Sequence, residues 1–358
     1  MGAVAARVTP AQAVKAAKLL LEKAGAAGDI AGDVALNLVD AEMCGHGSHG
    51  LRLVATYVEL LLSGKVSGEA RPRLRSVDGA IVKIDGHGAF GQVAGAFAAR
   101  HGIAQAKIHG IAAVAVSGSG HFGRNGMWPE LAANEGIASL HFINAPGAPS
   151  SVVPPGGRAA RLTSNPVAFG LPRSTGDHVI VDFATGDFSV NAIKLAQERG
   201  EKLPRASILK EDGTLSDDPA VFLASAERAM LPFGGFKGFG LAVIVEVLAG
   251  ALTGGTCHSG KDPAGSVNNM LSIYLDVVRF VSPEAFEREA GAFLGWLRSG
   301  ESDGVPGTRG RKARESARRL GLIIHPSLHQ MLSATAARLS VEGELALILG
   351  VPWSPTAP

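Results

Sequence analysis

The chain is organised around one polar stretch that follows a predicted helix, Gly45-His46-Gly47-Ser48-His49-Gly50-Leu51-Arg52. Arg52 can hold a carboxylate with two parallel hydrogen bonds. His49 can give or take a proton near neutral pH, and the hydroxyl of Ser48 can hydrogen-bond the imidazole or a substrate. The glycines let the backbone approach a ligand closely. This combination suits the recognition and protonation of a small anion; the alternative is a polar loop with a surface histidine.

Helices are predicted on both sides of this stretch. Thr9, Pro10 and Gln12 form the signature of a helix start, with Thr9 as the N-cap, and the helix extends to about Lys23. A second helix is expected over about 32–43 and a third over about 51–63. The polar stretch therefore lies in a helix–helix connection, where helix N-terminal amides can also face an anion.

Length and composition limit the class of protein. The chain has 358 residues, of which 46% are hydrophobic and 18% charged, so we expect a globular protein with two domains. The net charge of +2 does not favour nucleic acid as a partner. The longest apolar stretch, 240–255, contains Glu246 and is shorter than a membrane span requires, so it predicts a buried helix and no membrane association.

The cysteines and the N-terminus bear on the compartment. Cys44 and Cys257 are far apart in sequence, which does not suggest a disulfide framework and fits a reducing, cytoplasmic location. No signal peptide is expected at the N-terminus. The His, Cys, Asp and Glu residues show no convincing metal-ligand spacing, so no metal is expected.

The middle of the chain alternates between predicted strands and helices. Runs at 81–85, 111–116 and 137–143 predict strands, and an alanine-rich run at 92–108 predicts a helix, which indicates an α/β organisation. The second strand leads into Gly118-Ser119-Gly120-His121-Phe122-Gly123, which matches the dinucleotide fingerprint G-x-G-x-x-G. However, the next strand ends at Asn144 without an acidic residue to hold a ribose. That argues against an ordinary Rossmann site, although the glycines could wrap a cofactor phosphate in another fold.

Several single residues carry groups suited to a cofactor site, each with a plainer alternative. His121 could contact cofactor or substrate, or be a turn histidine. Asn165 could fix an amide beside a nicotinamide, or simply start a strand. Asp182 ends an apolar strand and could face a ligand crevice, or cap the helix after it. Lys237, between glycines before a helix, could bind phosphate, or be a solvated lysine. The basic residues of 309–319 suggest a solvated helix face or, as a further option, a module that binds an anionic polymer.

Six segments, in this order over about residues 10 to 320, resemble the malate/L-lactate dehydrogenase family of NAD(P)-dependent oxidoreductases. They are Gly47-Ser48-His49-Gly50 with Arg52 and Tyr57-Val58; Gly120-His121-Phe122-Gly123; Thr163-Ser164-Asn165-Pro166 with Ala168-Phe169; Asp182-Phe183-Ala184-Thr185; Leu231-Pro232-Phe233-Gly234-Gly235 with Lys237-Gly238; and Glu246-Val247-Leu248-Ala249-Gly250-Ala251-Leu252-Thr253-Gly254. This family is distinct from the Rossmann lactate dehydrogenases. It includes malate, ureidoglycolate and sulfolactate dehydrogenases, diketogulonate reductase and Δ1-piperideine-2-carboxylate reductase.

The resemblance implies a non-Rossmann α/β fold, with a mixed-sheet domain plus a helical domain built from both chain ends. We accordingly divide the chain into an N-terminal helical and α/β part (1–115), a cofactor-binding α/β domain (116–282) and C-terminal helices that pack back on the N-terminal part (283–358). The resemblance also implies a homodimer whose active site lies between domains.

The same resemblance implies a cofactor, a substrate class and site residues. The cofactor is NAD or NADP, and the substrate is a small carboxylate: a 2-oxo, 2-hydroxy or cyclic imino acid. His49 matches the proton donor and acceptor, supported by Ser48, while Arg52 and Thr163 match substrate-binding positions. The positions that match cofactor-binding residues are His121, Phe122, Gly123, Asn165, Asp182, Ala184, Lys237 and Gly238.

Two positions depart from the family pattern. Some members carry an Asp that pairs with the catalytic histidine, and the corresponding position here is Ala192, with Asp187 as a candidate substitute. Without that carboxylate the pKa of His49 would be lower and its geometry looser. Phe236 stands where a histidine is usual and makes the site more apolar. These departures keep a second hypothesis open: a cofactor-binding homologue with weak or lost catalysis.

Overall fold

The computed structural model describes residues 6–260, 267–300 and 304–350. The α-helices of this part are α1 (Pro10–Lys23), α2 (Gly28–Met43), α3 (Leu53–Leu62), α4 (Gly91–His109), α5 (Met127–Asn134), α6 (Val190–Arg199), α7 (Pro219–Ala224), α8 (Phe236–Val245), α9 (Pro283–Ser299), α10 (Thr308–Leu320), α11 (Pro326–Arg338) and α12 (Glu342–Leu349). The strands are β1 (Ala6–Val8), β2 (Arg73–Asp78), β3 (Ile81–Asp85), β4 (Ile111–Ser119), β5 (Ile137–Asn144), β6 (Val167–Leu171), β7 (Val179–Phe183), β8 (Ile208–Leu209), β9 (Leu215–Ser216), β10 (Asn268–Asp276) and β11 (Leu322–Ile324).

The chain divides into two compact units, Met1–Ala70 with Arg309–Pro358, and Arg71–Thr308. These limits differ from the predicted boundaries at 115/116 and 282/283. The reason is that β2 and β3 pair into the sheet of the second unit, and α9 also lies within that unit. The functions assigned to the three predicted parts stay predictions.

The first unit is helical and is built from both ends of the chain, as expected. Its two-stranded sheet joins them, since β1 pairs antiparallel with β11 and places Val8 opposite Leu322. The predicted start of α1 is confirmed: the side chain of Thr9 accepts from the N–H of Gln12, and Pro10 occupies the first helical turn. Helix α2 begins before the predicted position 32, and α3 begins two residues after position 51.

The second unit is built on a seven-stranded mixed sheet in the order β2-β3-β4-β10-β5-β6-β7. Strands β3 and β4 are parallel, whereas β10 pairs antiparallel with both β4 and β5. The strand before the G-x-G-x-x-G pattern therefore has an antiparallel neighbour on the side of β5, which is not a Rossmann arrangement. A mixed sheet together with a helical unit from both chain ends confirms the predicted fold class.

Glycines allow helix α4 to pack closely on this sheet and on helix α5. A Cβ at Gly102 would lie 2.2 Å from the ring of Tyr274, and one at Gly95 would lie 2.6 Å from the ring of Trp128. Both aromatic side chains are fully buried, and their rings occupy the space that a side chain at the two glycines would need. The core of the sheet consists of Val82, Ile84, Ala94, Ala98, Val114, Val116, Phe122, Trp128, Ile143, Met270 and Tyr274, among others.

The apolar run at 240–255 forms the end of α8 and a π-helical segment, Glu246–Ala251. The prediction of a buried helix is only half right. Ala242, Val245 and Ala249 are buried, but the opposite face exposes Val243, Ile244, Val247 and Leu252 to solvent. Among the described residues, no helix combines the length and apolar character that crossing a membrane demands.

Candidate active site

The polar stretch that opened the sequence forms a tight turn between α2 and α3. Residues Gly47–His49 make one turn of 3-10 helix, with the N–H of His49 donating to the carbonyl of His46 at 2.8 Å. Ser48 Oγ lies 3.0 Å from His49 Nδ1, so the hydroxyl and the imidazole form a hydrogen-bonded pair. Both side chains and that of Arg52 are half-buried. The hydroxyl therefore holds the ring in a fixed orientation, as a proton-transferring histidine requires.

Glu42, on α2, fixes the backbone at Gly50 and Leu51, which follows the polar turn. Its Oε2 accepts a hydrogen bond of 3.1 Å from the N–H of Leu51. A Cβ at Gly50 would lie 2.1 Å from the same oxygen, so glycine at this position allows the approach. Leu51 is 1% exposed and anchors the turn in the core of the first unit. The hydrogen bond to Glu42 and the burial of Leu51 together fix the start of α3, and with it the backbone position of Arg52.

In the second unit the loop 118–123 leaves the end of β4. The N–H of Gly118 donates to Asn269 Oδ1 at 2.9 Å, and that of Gly123 donates to His121 Nδ1 at 3.3 Å. His121 is half-buried, but Phe122 is 1% exposed and packs edge-on against Trp128. The side chain of Phe122 consequently anchors the loop in the core, and its backbone is the part that a cofactor could reach.

Asp182 stands at the N-terminus of α5. Its Oδ2 accepts a hydrogen bond of 2.7 Å from the N–H of Gly126, the residue before that helix. A carboxylate at this end of a helix is favourable because it faces the positive end of the helix dipole. The capping alternative from the sequence thus has the right chemistry but the wrong helix, because Asp182 caps a helix that precedes it in the chain.

Thr163 and Asn165 belong to a buried polar cluster. Thr163 Oγ1 donates to Asn165 Oδ1 at 2.6 Å, and Asn165 Nδ2 donates to the carbonyl of Ala242 at 3.1 Å. Asn165 is 0% exposed and adopts a left-handed backbone, with φ of +30°. Its side-chain amide therefore bonds inside the protein, so its effect on a ligand must come through the shape of the 163–166 turn.

Glu246 is the member of this cluster that sequence reasoning missed. Its Oε2 accepts a hydrogen bond of 2.7 Å from Asn165 Nδ2, and its Oε1 accepts one of 2.7 Å from Asn144 Nδ2. The signal was present in the sequence, since Glu246 is a lone acidic residue in the apolar run at 240–255.

Lys237 lies on the exposed first turn of α8. Gly234 and Gly235 precede it with positive φ values of +56° and +63°. A Cβ at Gly238 would lie 2.5 Å from the carbonyl oxygen of Phe233, so the turn before the helix is tightly closed. Two left-handed glycines, a helix N-terminus and an exposed ammonium group together fit an anionic phosphate group.

Backbone hydrogen bonds hold three of the sequence segments side by side. The N–H of Thr185 donates to the carbonyl of Ser164 at 2.8 Å, and the N–H of Phe233 donates to the carbonyl of Thr185 at 3.1 Å. Ala184, half-buried, lies within this arrangement. The structure therefore brings together the segments 163–166, 182–185 and 231–238, which are distant in sequence.

A cleft of about 580 Å³ lies next to this arrangement. It is lined by Pro155, Asp187, Arg205 and residues 231–235. Arg205 donates to both carboxylate oxygens of Asp187, at 2.7 and 3.1 Å. Asp187, the candidate substitute for a carboxylate at Ala192, is thus ion-paired within its own unit. The volume of this open cleft lies in the range of small-molecule sites.

Comparisons with known proteins point in one direction. The profile of the malate/L-lactate dehydrogenase family matches residues 8–333. The chain is 34% identical over 321 residues to an L-lactate dehydrogenase of Cupriavidus necator, covering 87% of this chain and 92% of that protein. It is 31% identical to a Δ1-pyrroline-2-carboxylate/Δ1-piperideine-2-carboxylate reductase of Pseudomonas putida, covering 85% and 89%. A malate/lactate dehydrogenase structure from Escherichia coli superposes with a TM-score of 0.90 at 29% identity, covering 96% and 98%.

Proposed function

The chain belongs to the malate/L-lactate dehydrogenase family, and from that premise we propose that it is an NAD(P)-dependent oxidoreductase. Its relatives are dehydrogenases and reductases of 2-hydroxy acids and cyclic imino acids. The proposed reaction moves a hydride between a nicotinamide and the α-carbon of a small 2-oxo, 2-hydroxy or cyclic imino acid. The observation that carries the proposal is the Ser48–His49 pair at 3.0 Å, three residues before Arg52, in a segment that matches the family.

In this proposal the polar stretch handles the substrate. His49 gives or takes the proton at the substrate oxygen or nitrogen, and Ser48 orients the imidazole through its contact at Nδ1. Arg52 binds the substrate carboxylate with two parallel hydrogen bonds. Thr163, expected at the substrate, is 2% exposed and bonds to Asn165, so we assign it to the support of the 163–166 turn.

The second unit is proposed to hold the cofactor. The exposed ammonium group of Lys237 and the helix end after Gly234 and Gly235 suit a phosphate. Asp182, Ala184 and Gly238 lie on the segments that meet there, while His121 and Gly123 belong to the loop after β4. When bound, NAD or NADP supplies or accepts the hydride.

We also propose that the protein is a homodimer. The exposed face of α8 and the π-helical segment presents Val243, Ile244 and Val247, and Leu252 follows directly; burial of such a face stabilises an interface. Sedimentation of the protein and of a Val247→Asp variant tests this. The wild type should sediment as a dimer and the variant as a monomer.

The alternative function is a cofactor-binding homologue with weak catalysis. Two observations favour it. Position 192 carries a methyl group in place of a carboxylate, and the N–H of Ala192 donates to Ser189, the N-cap residue of α6. Phe236 is 74% exposed, so it adds apolar surface next to Lys237. This alternative predicts cofactor binding without turnover.

Oxidation of NADH and of NADPH should be screened against pyruvate, oxaloacetate, larger 2-oxo acids and Δ1-piperideine-2-carboxylate. The proposal expects turnover with at least one member of this panel. Among variants, His49→Gln should lower kcat by about 10² to 10⁴ while cofactor affinity stays unchanged. His109→Gln, on an exposed histidine of α4, is the matched control. Full turnover by folded His49→Gln would refute the assignment.

Arg52→Lys keeps the positive charge but loses the planar pair of donors. It should raise KM for carboxylate substrates by about tenfold, and much less for the corresponding amides or esters. Equal increases for charged and neutral substrates would contradict the role of Arg52.

A further inference from the structure

A buried carboxylate ties several segments of the second unit together. Glu246, 7% exposed, accepts hydrogen bonds on Oε1 from Asn144 Nδ2 and from the N–H of His258, both at 2.7 Å. Its Oε2 accepts from Asn165 Nδ2, also at 2.7 Å. Each carboxylate oxygen thus accepts from N–H groups, and these hydrogen bonds replace the water contacts that burial removes.

The hydrogen bonds continue from Glu246 to the loop after β4. Asn144 Oδ1 accepts from Asn269 Nδ2 at 2.9 Å, and Asn269 Oδ1 accepts from the N–H of Gly118 at 2.9 Å. These asparagines stand at the ends of neighbouring strands, β5 and β10. One continuous path of hydrogen bonds therefore links the 163–166 turn with the 118–123 loop, and Glu246 is at its centre.

The turn at Asn165 depends on this path. A left-handed backbone at a residue other than glycine is strained and persists only where the surroundings enforce it. Three hydrogen bonds fix the side-chain amide of Asn165. Its Nδ2 donates to Glu246 and to the carbonyl of Ala242, and its Oδ1 accepts from Thr163. Removal of the Glu246 acceptor would release the turn.

The helix that carries Glu246 is also unusual. The chain changes from α-helix to π-helix at this residue, and such segments occur frequently at functional sites. Glycines clear the space around the path: a Cβ at Gly250 would lie 2.9 Å from Asn144 Nδ2, and one at Gly255 would lie 2.4 Å from Asn269 Oδ1. The cluster is therefore packed so closely that its members have one arrangement.

We infer that Glu246 is a positioning residue of the cofactor site, which holds the 163–166 turn and the 118–123 loop in the arrangement that binds the nicotinamide cofactor. This inference rests on the proposed function. Glu246 acts through Asn165 and Asn144 and takes no part in the chemical step.

The isosteric substitution Glu246→Gln isolates this role. In either orientation of the new amide, its NH2 group meets an N–H donor, from Asn165 on one side or from Asn144 and His258 on the other. Turning the amide of Asn165 over removes the first conflict. However, the turned amide places Asn165 Oδ1 against the carbonyl oxygen of Ala242. The hydrogen bond from Asn165 Nδ2 to that carbonyl is then replaced by repulsion between two acceptors. The path is broken in each case while shape and volume are kept.

The experiment measures the dissociation constants of NADH and NADPH by fluorescence titration of Glu246→Gln, together with kcat. If the organised arrangement falls to about a tenth of the population, the dissociation constant rises about tenfold. At saturating cofactor, kcat should change much less. Ser272→Ala is the matched control, because Ser272 bonds the buried His141 on the same two strands, away from the path. It should lower the melting temperature and leave the cofactor dissociation constant unchanged.

Hydrogen–deuterium exchange of the cofactor-free protein supplies a readout that does not depend on the proposed function. Glu246→Gln should speed exchange at amides of 118–123 and 163–168, whereas Ser272→Ala should not. If Glu246→Gln does not fold, Asn144→Ala interrupts the path to the loop and should speed exchange at 118–123.

The outcomes separate the two ideas. Wild type that binds no cofactor refutes the proposed function, and the exchange rates then decide the role of Glu246. Wild-type cofactor affinity and exchange in a folded Glu246→Gln protein overturn the inference and leave the function standing. Equal losses of cofactor affinity in Glu246→Gln and Ser272→Ala would show that Glu246 contributes only to stability, and would also overturn the inference.

Discussion

Acid should destabilise the second unit in part through a buried histidine that the proposed reaction does not use. His141 lies inside β5 and is 0% exposed. Its Nδ1 is 2.8 Å from Ser272 Oγ, its Nε2 is 3.0 Å from Ser139 Oγ, and its ring meets that of Tyr274 edge-on at 5.5 Å. Burial lowers the pKa of this imidazole from its ordinary value of 6.5 to about 3, because the charged form loses its hydration.

The size of the effect follows from the two pKa values. The unfolded chain takes up a proton at His141 near pH 6.5, whereas the folded protein does so only near pH 3. Between these values the unfolded state holds more protons, so the free energy of unfolding falls as the pH falls. Each pH unit corresponds to about 1.4 kcal/mol, so lowering the pH by about two units below the unfolded value removes about 2.7 kcal/mol.

Urea unfolding of the wild type and of His141→Gln at several pH values from about 7.5 to about 4.5 measures this contribution. Glutamine can still bond both serines but does not titrate. Asp85 and Glu287, whose pKa values Arg75 and Arg173 lower through hydrogen bonds, destabilise both proteins alike in acid and cancel in the difference. The wild type should lose stability more steeply by about 2 to 3 kcal/mol. Parallel pH profiles for the two proteins would refute the reasoning.

Two further predictions concern packing and charge. Gly102→Ala should lower the melting temperature, at a cost of about 1 to 3 kcal/mol, because its Cβ would lie 2.2 Å from the ring of Tyr274. Gly32→Ala on helix α2 has nothing within 4 Å of the new Cβ and should raise the melting temperature slightly. Lys237→Gln should weaken binding of NADH several-fold and reduce the dependence of that binding on salt; an unchanged salt dependence would show that Lys237 does not meet the cofactor phosphates.

The local parts of the fold could be predicted from the sequence, because their signals are local. The capping box at Thr9 fixes the start of α1, and the β-branched run at 179–183 fixes β7. The position of β10 could not be predicted. Its sequence identifies a strand, but nothing in 268–276 specifies that it inserts between β4 and β5. That choice depends on contacts with residues more than a hundred positions away.

The candidate site shows the same difference between local contacts, which the sequence predicts, and long-range contacts, which it does not. Ser48 and His49 are adjacent in sequence, so their pairing follows from local chemistry, and the structure places them 3.0 Å apart. The partners of Asp182 and Glu246 lie in distant segments, so the sequence suggested a helix cap at the wrong helix for the first and no partner for the second. Residues whose roles depend on tertiary hydrogen bonds cannot be assigned by motif spacing alone.

The G-x-G-x-x-G pattern has a packing explanation that requires no phosphate. Gly118 and Gly123 both adopt left-handed conformations, with φ of +71°, which favour glycine. The backbone around Gly120 is pressed against the turn before α4: its N–H donates to the carbonyl of Ala89 at 2.8 Å, and a Cβ at Gly91 would lie 2.4 Å from its oxygen. All three glycines of the pattern are thus explained by the tight exit from β4. The pattern indicates a dinucleotide site of the Rossmann kind only where a parallel neighbouring strand brings an acidic side chain to the ribose. Of the two neighbours of β4, the antiparallel β10 brings Asn269, which holds the loop, and the parallel β3 ends in Asp85, whose carboxylate accepts hydrogen bonds from Arg75 and from the N–H of His87.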